Sequence, residues 1–270
     1  MATIRVATLN IWGRHGDWRR RRDVLRDGFR ALEADLVALQ ETILDDGYDQ
    51  VADLFGAGYH VVHHSRRGRG GVGCSIVSRW EPEDVQETAL DGTRRVVQAD
   101  FLGQSAAIDV ATPVGRLLFV NHKPSWQLGY EHERELQAVS GARFVEDLVG
   151  EREVHVVVAG DMDARPESAS MRFWTGRQSL GGMSVAYQDA WEFARPGEDG
   201  LTFTLENPQI LAENDWARIP GRRIDYVLVR CGARGPTLHI ASCSRLFDRP
   251  VGEVWGSDHF GVVADLAVAD

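Results

Sequence analysis

The sequence predicts an α/β fold: a four-layer α/β sandwich of two mainly antiparallel sheets packed face to face, with helices outside. Three observations carry this prediction. Short apolar runs of strand character outnumber the helical stretches, and the two long helical patterns each lie between strands. No linker, low-complexity tract or shift in composition divides the 270 residues. A chain of this length buries roughly 75% of its surface on folding, so residues 1–270 read as one domain that needs no disulfide staples.

Residues 4–9 (IRVATL) read as the first strand, and residues 18–33 as a helix with Val24, Leu25, Phe29 and Leu32 at helical spacing. Residues 35–40 form the next strand. Residues 71–78 and 96–100 are expected as strands of a meander, and 105–111 with 116–121 as a hairpin over TPVG. Residues 131–149 give the clearest helix, with Leu136, Val139, Phe144 and Leu148 on one side. Strands at 154–159, 224–230, 238–242 and 260–266 complete the set. A loose two-fold echo runs through this order: a helix followed by an apolar strand ending in acid recurs near 19–41 and 131–163.

Six of the apolar runs close on a polar signature. They are Asn10 in ATLNIWG, Glu41 in LVALQET, His122 in LLFVNHKPSW, Asp161 and Asp163 in HVVVAGDMDA, Asp225 in RRIDYVLV, and Asp258 with His259 in WGSDHFGVV. If these strand ends converge, five carboxylates share a small volume, which requires a cation to neutralise them. Oxygen donors without thiolates suit magnesium, manganese or calcium better than zinc. Cys74, Cys231 and Cys243 form no CxxC pair and leave an odd thiol, so they read as core residues of a reduced, cytoplasmic protein. The apolar strand entered by residue 4 leaves no room for a leader, and no apolar run reaches the length of a membrane span.

The formal charge of -10 argues against a dedicated non-specific nucleic-acid binder, although a carboxylate-rich metal site accounts for some of it. Two motif matches fail their context. GRGGVG at 68–73 precedes a strand instead of joining a strand to a helix, and DMDARP has Arg165 and Pro166 where a calcium loop needs a ligand and a glycine.

The ordered set of signatures, from Asn10 to about Leu266, resembles the endonuclease/exonuclease/phosphatase superfamily of magnesium-dependent phosphoesterases. The resemblance implies a sandwich with the site at one end and Mg2+ or Mn2+ as cofactor. It implies Glu41 and Asp258 as metal ligands, with Asn10 offering an amide beside the metal, and Asp161 as the residue that orients and deprotonates the attacking water. His259, oriented by Asp225, would contact the phosphate, and His122 would donate to a phosphate oxygen. Gly160 would permit a sharp turn and close approach of that phosphate. Asp163 departs from the family, which usually has Asn there. A carboxylate can only accept a hydrogen bond, so Asp163 is protonated, binds a second cation or plays a weaker role; metal coordination is the favoured reading.

For the substrate, Arg66, Arg67 and Arg69, and Arg19–Arg22, read either as phosphate grips or as solvated surface. Arg134 and Gln137, three apart, either touch substrate or support their helix. Trp12, Trp126 and Trp255 either stack on bases or a sugar or fill the core. The leading expectation is a phosphodiesterase acting on DNA or RNA. The alternatives are hydrolysis of a small phosphorylated metabolite or lipid head group, and a non-catalytic binding protein on the same fold, favoured only by Asp163.

Overall fold

The structure is a computed structural model that describes residues 2–90, 92–99, 103–211 and 218–268. In chain order the first half runs β1 (Thr3–Asn10), α1 (Trp18–Leu32), β2 (Leu36–Asp45), β3 (Tyr48–Asp49), α2 (Gln50–Phe55), β4 (His60–His63), β5 (Val72–Ser78), β6 (Asp84–Ala89), α3 (Arg94–Gln98) and β7 (Gln104–Thr112). The second half runs β8 (Gly115–Lys123), α4 (Glu131–Val149), β9 (His155–Asp161), α5 (Ala169–Trp174), β10 (Tyr187–Asp189), α6 (Ala190–Ala194), β11 (Asp225–Gly232), β12 (Gly235–Pro236), β13 (His239–Leu246) and β14 (Gly261–Ala267).

The strands form two seven-stranded sheets. One has the order β13-β14-β1-β2-β5-β4 with β3 on β2, and the other β10-β11-β9-β8-β7-β6 with β12 on β11. Each sheet is antiparallel except for one central parallel pair, β1 with β2 and β8 with β9. A parallel pair needs a crossover, and each has a single long helix in that place, α1 and α4. The sequence echo is therefore a repeated β-α-β unit, one per sheet.

Strand alternation sorts the core into layers. Ile4, Val6, Leu36, Ala38, Phe119, Val157, Val227 and Ala264 fill the space between the sheets. The opposite face of the first sheet carries Ala7, Leu9, Val37 and Leu39 against Leu25 and Phe29 of α1. That of the second carries Leu118, Val120, Val156 and Val158 against α4 and α5. The result is the predicted four layers of helix, sheet, sheet and helix. Among the described residues, no helix is long and apolar enough to cross a membrane.

Two expectations about elements are corrected. Residues 96–100 form no strand: Arg94–Gln98 is a short helix whose first turn is capped by the Thr93 hydroxyl accepting from Val96 N–H, and Asp100 lies outside the described residues. The buried side of α4 is not the Leu136–Val139–Phe144–Leu148 stripe. It is made by Ala138, Val139, Gly141, Ala142, Val145 and Val149, so Val139 alone of that stripe is buried; Phe144 and Leu148 are half-buried and Leu136 is 39% exposed. Small residues let the helix lie close to the sheet, and the stripe of largest side chains ends up at its margin.

Candidate active site

The ends of β1, β2, β8, β9 and β11 and the loop before β14 open into one cleft of about 230 Å³. Asn10, Glu41, Asp161, Asp163, Asp258 and His259 all line it. Asn10, at an inter-sheet position of β1, donates through Nδ2 to Glu41 Oε1 at 2.8 Å and to Asp161 Oδ2 at 3.0 Å, so its amide joins the two sheets' carboxylates. A buried polar relay lies one step further in: Gln40 Nε2 donates to Asn121 Oδ1 at 2.8 Å, and Asn121 Nδ2 donates to the carbonyls of Leu39 and Ser75, each at 2.9 Å. These bonds satisfy groups that would otherwise be costly to bury, and they fix the register of the two sheets beneath the site.

Glu41 reaches the cleft through a backbone irregularity. Pairing of β2 with β5 slips between Leu39 and Thr42, so two residues face one across the ladder. Glu41 itself has a φ of 57°, in the left-handed region. Regular alternation would aim it with Leu39 toward α1; the bulge turns it inward instead. Trp12 (φ 56°) and Asp163 (φ 49°) also line the cleft with left-handed backbones, so strain concentrates at the site.

Asp161 and Asp225 are register partners on adjacent antiparallel strands. Asp225 Oδ2 lies 3.0 Å from His259 Nδ1, and His259 Nε2 lies 3.9 Å from Asp161 Oδ2. All three are buried, and one ligand atom from each falls within 4.8 Å of the others, a grouping able to hold a divalent ion. Burial works against a charge on His259, but Asp225 and Asp161 more than reverse it, and its pKa is raised well above the ordinary histidine value. Burial likewise opposes the charge on Asp161; Lys123 and then His259 overcome it and hold Asp161 below the usual carboxylate range. Asp225 goes the other way, raised by burial and by Asp161 against the pull of His259.

Glu41 and Asp258 face the same cleft with no ion-pair partner among the described residues. Burial pushes Asp258 up to about 6, against the pull of His259 and with the charge of Glu41 adding to the rise. The two carboxylates offer the oxygen donors that a hard divalent cation requires, so the residues present fit the metal implied by the sequence, while the Asn10 Oδ1 accepts from Trp12 N–H at 3.0 Å.

His122 does not belong to this site. Its ring lies on the outer face of β8 with Leu118 and Val120, against Gly141 of α4 and the edge of Trp174 at 5.5 Å. It is buried, its Nδ1 has no hydrogen-bond partner among the described residues, and burial lowers its pKa to about 3. The neighbouring Lys123, on the inner face with Phe119 and Asn121, takes the place in the cleft. Its Nζ is 2.8 Å from Asp161 Oδ2 and in direct contact with Asp163 Oδ2. The Asp163 carboxylate, raised by burial and by Asp161, also has Arg222 Nη1 at 3.9 Å, while Arg222 Nη2 donates to the Asp163 carbonyl at 2.6 Å.

Three of the basic residues expected to grip substrate, Arg21, Arg67 and Arg134, are used inside the protein, while Arg19, Arg20, Arg66 and Arg69 are exposed. Arg67 donates to the carbonyls of Gly71, Cys74 and Thr42 and so braces the bulge that carries Glu41. Arg134 donates to the carbonyls of Ser125 at 3.0 Å and Gln127 at 2.8 Å, and Gln137 donates to Ser125 Oγ at 3.0 Å. These two residues fold the loop that carries Trp126, which lines the cleft and is 45% exposed. Arg66 does not line the cleft. Arg21 is buried, with its guanidinium on the carbonyls of Gly256, His15 and Ile11, tying the first and last motif loops together. Gly160 allows no turn; a Cβ there would lie 2.0 Å from the His122 carbonyl oxygen, so β8 and β9 need a glycine to approach.

Lys123 and Arg222 were not singled out from the sequence. Neither gives a signal in the sequence: β8 is buried on both faces, so the parity that puts Lys123 inward shows only in the structure, and Arg222 lies three residues before Asp225 with nothing to mark it.

An acidic, histidine-bearing cleft at one end of a two-sheet sandwich with outer helices defines the class of protein. The chain belongs to the Endonuclease/Exonuclease/phosphatase family, whose sequence profile matches residues 7–259. Members of that family are hydrolytic phosphoesterases dependent on divalent metal ions. The fold is shared with an endonuclease/exonuclease/phosphatase from Bacteroides vulgatus, at 21% identity and a TM-score of 0.72, with 100% of each chain covered. It is also shared with D. rerio TDP2 complexed with single strand DNA product, at 17% identity and a TM-score of 0.75, over 99% of this chain and 100% of that one. The human Nocturnin catalytic domain with bound sulfate anion superposes at a TM-score of 0.73 and 17% identity, over 99% of this chain and 95% of that one. At these identities the likeness shows the fold. Comparison with curated protein sequences finds no match.

Proposed function

We propose that this chain is a magnesium- or manganese-dependent phosphodiesterase that cleaves nucleic acid. One observation carries the reading: Asn10, Glu41, Asp161, Asp258 and the Asp225–His259 pair converge on one cleft from strands far apart in sequence. The bound metal would supply a positive centre for the phosphoryl oxygens and the departing oxygen. Glu41 and Asp258 would hold it, with Asn10 beside them. Asp161 remains ionised, fixed by the Asn10 amide and the Asp163 N–H, and orients the water that attacks phosphorus. His259, steadied through Nδ1 by Asp225, presents Nε2 to the cleft as a donor to the charge that builds on phosphorus. Trp126, exposed at the cleft, offers aromatic surface to a base or sugar. The DNA product on D. rerio TDP2 and the sulfate on Nocturnin support a substrate of this charge type.

A second reading, a small phosphoester substrate, is favoured by the internal use of Arg21, Arg67 and Arg134, which leaves those cations unavailable to a polymer backbone. Both readings are separated by offering a single-stranded oligonucleotide and bis(p-nitrophenyl) phosphate with Mg2+ or Mn2+, beside a chelated sample and Asp161→Ala. Metal-dependent strand cleavage lost in the variant supports the first; turnover of the small ester alone supports the second. Metal-independent cleavage, or cleavage unaffected by Asp161→Ala, sinks both.

A further inference from the structure

Lys123 is the only lysine in a chain with 30 lysine and arginine residues. It is 3% exposed and lies where the carboxylates of Asp161 and Asp163 converge. An ammonium is a compact charge with freely directed donors, whereas a guanidinium is a planar fork. The cleft thus contains two carboxylate groups of different kinds. Asp161 and Asp163 already have a fixed cation in contact, with Arg222 close behind. Glu41 and Asp258, on the other side of Asn10, have none among the described residues.

Resting on the phosphoesterase reading above, we propose that Lys123 is the built-in second cation of this site. Its ammonium fills the place between Asp161 and Asp163 that a second divalent ion would take, and the chain binds a single divalent ion, at Glu41 and Asp258. A divalent ion entering the Asp161–Asp163 side would meet like charge at contact distance, in a setting where little water screens it. The acid at position 163 fits the same arrangement. A carboxylate cannot donate to a phosphoryl oxygen, but it anchors the ammonium that can.

The test is Mn2+ binding to the full chain, by calorimetry for stoichiometry and electron paramagnetic resonance for coupling between ions. The unaltered protein should take up a single Mn2+ and give an uncoupled signal, and Glu41→Gln should abolish binding. Lys123→Met, which keeps the length of the side chain and removes its charge, should admit a second Mn2+ and produce a spin-coupled signal. Lys123→Arg should remain at one. Two Mn2+ on the unaltered protein, or one on a folded Lys123→Met, overturns the assignment of Lys123 and leaves the metal reading standing. No Mn2+ on the unaltered protein overturns the metal reading itself. The unaltered protein decides by its own stoichiometry, so the test survives if Lys123→Met does not fold.

Discussion

At the scale of the residue, the cleft is a set of charges held in fixed relation. Asp161 accepts from Asn10 at 3.0 Å and from the Asp163 N–H at 3.1 Å, which restricts its carboxylate to a single orientation. His259 depends similarly on Asp225. Removing a group positioned for proton transfer or charge stabilisation costs about 10²–10⁴-fold in rate. Asp161→Ala and His259→Ala are therefore each expected to lower kcat into that range while still unfolding cooperatively, at a reduced melting temperature because a buried partner is left unpaired. Asp225→Asn should also be slow, because an amide holds the His259 ring without compensating its charge. Single-turnover rates on a cleavable oligonucleotide, set beside thermal melts, check all three. Full activity in Asp161→Ala would remove it from the chemistry. Burial of charge makes these side chains informative to mutate: each is paired, so the loss of one leaves a partner exposed to the full cost of desolvation.

At the scale of the element, positioning depends on two places where regular structure gives way. In β2 the bulge beyond Leu39 turns Glu41 into the cleft, and Arg67 grips the carbonyls around it. Arg67→Met should lower metal affinity by about tenfold or more without touching any metal ligand, checked by Mn2+ titration; unchanged affinity would mean the bulge holds without its brace. In β9, Gly160 lies so close to β8 that Gly160→Ala must shift backbone, and overpacking of this kind costs about 1–3 kcal/mol. A urea melt with an unchanged midpoint would contradict that. Much of this was legible in the sequence. The four layers, both long helices and the polar strand ends follow from apolar runs and their order. What was hidden has physical causes. Central strands of a sandwich are buried on both faces, so LLFVNHK shows no polar alternation to tell His122 from Lys123. The edge strand β6 (DVQETA) is mostly exposed and polar, so it has no apolar signal at all. The bulge at Glu41 is a pairing irregularity that only the neighbouring strand reveals. Arg134 and Gln137 were noticed as a pair, but their work on the Trp126 loop depends on partners in the segment before their helix, Ser125 and Gln127.

At the scale of the whole molecule, the same two-sheet packing that delivers charge to one rim leaves a titratable group inside the opposite layer. His122 lies between β8 and α4, with its Nδ1 unpartnered among the described residues and its ring against Gly141 and Trp174. Burial lowers its pKa from 6.5 to about 3, so the folded protein keeps this ring neutral where the unfolded chain protonates it. Between those values the unfolded state binds more protons, and stability falls as pH falls. A fully developed difference is worth about 1.4 kcal/mol per pH unit from this residue alone. Above pH 6.5 the contribution is flat, and below about 3 it is flat again. His122→Phe, an apolar ring of similar shape, should remove the effect while leaving metal binding and turnover within about threefold, since the ring does not line the cleft. The measurement is urea-unfolding free energy from pH 7 down to pH 4 for both proteins. The carboxylate pairs contribute acid sensitivity to each, so the difference between the curves isolates His122. A gap that widens steadily in favour of the variant as pH falls is the expected result; parallel curves would mean that the buried ring finds a proton or a partner in the folded state.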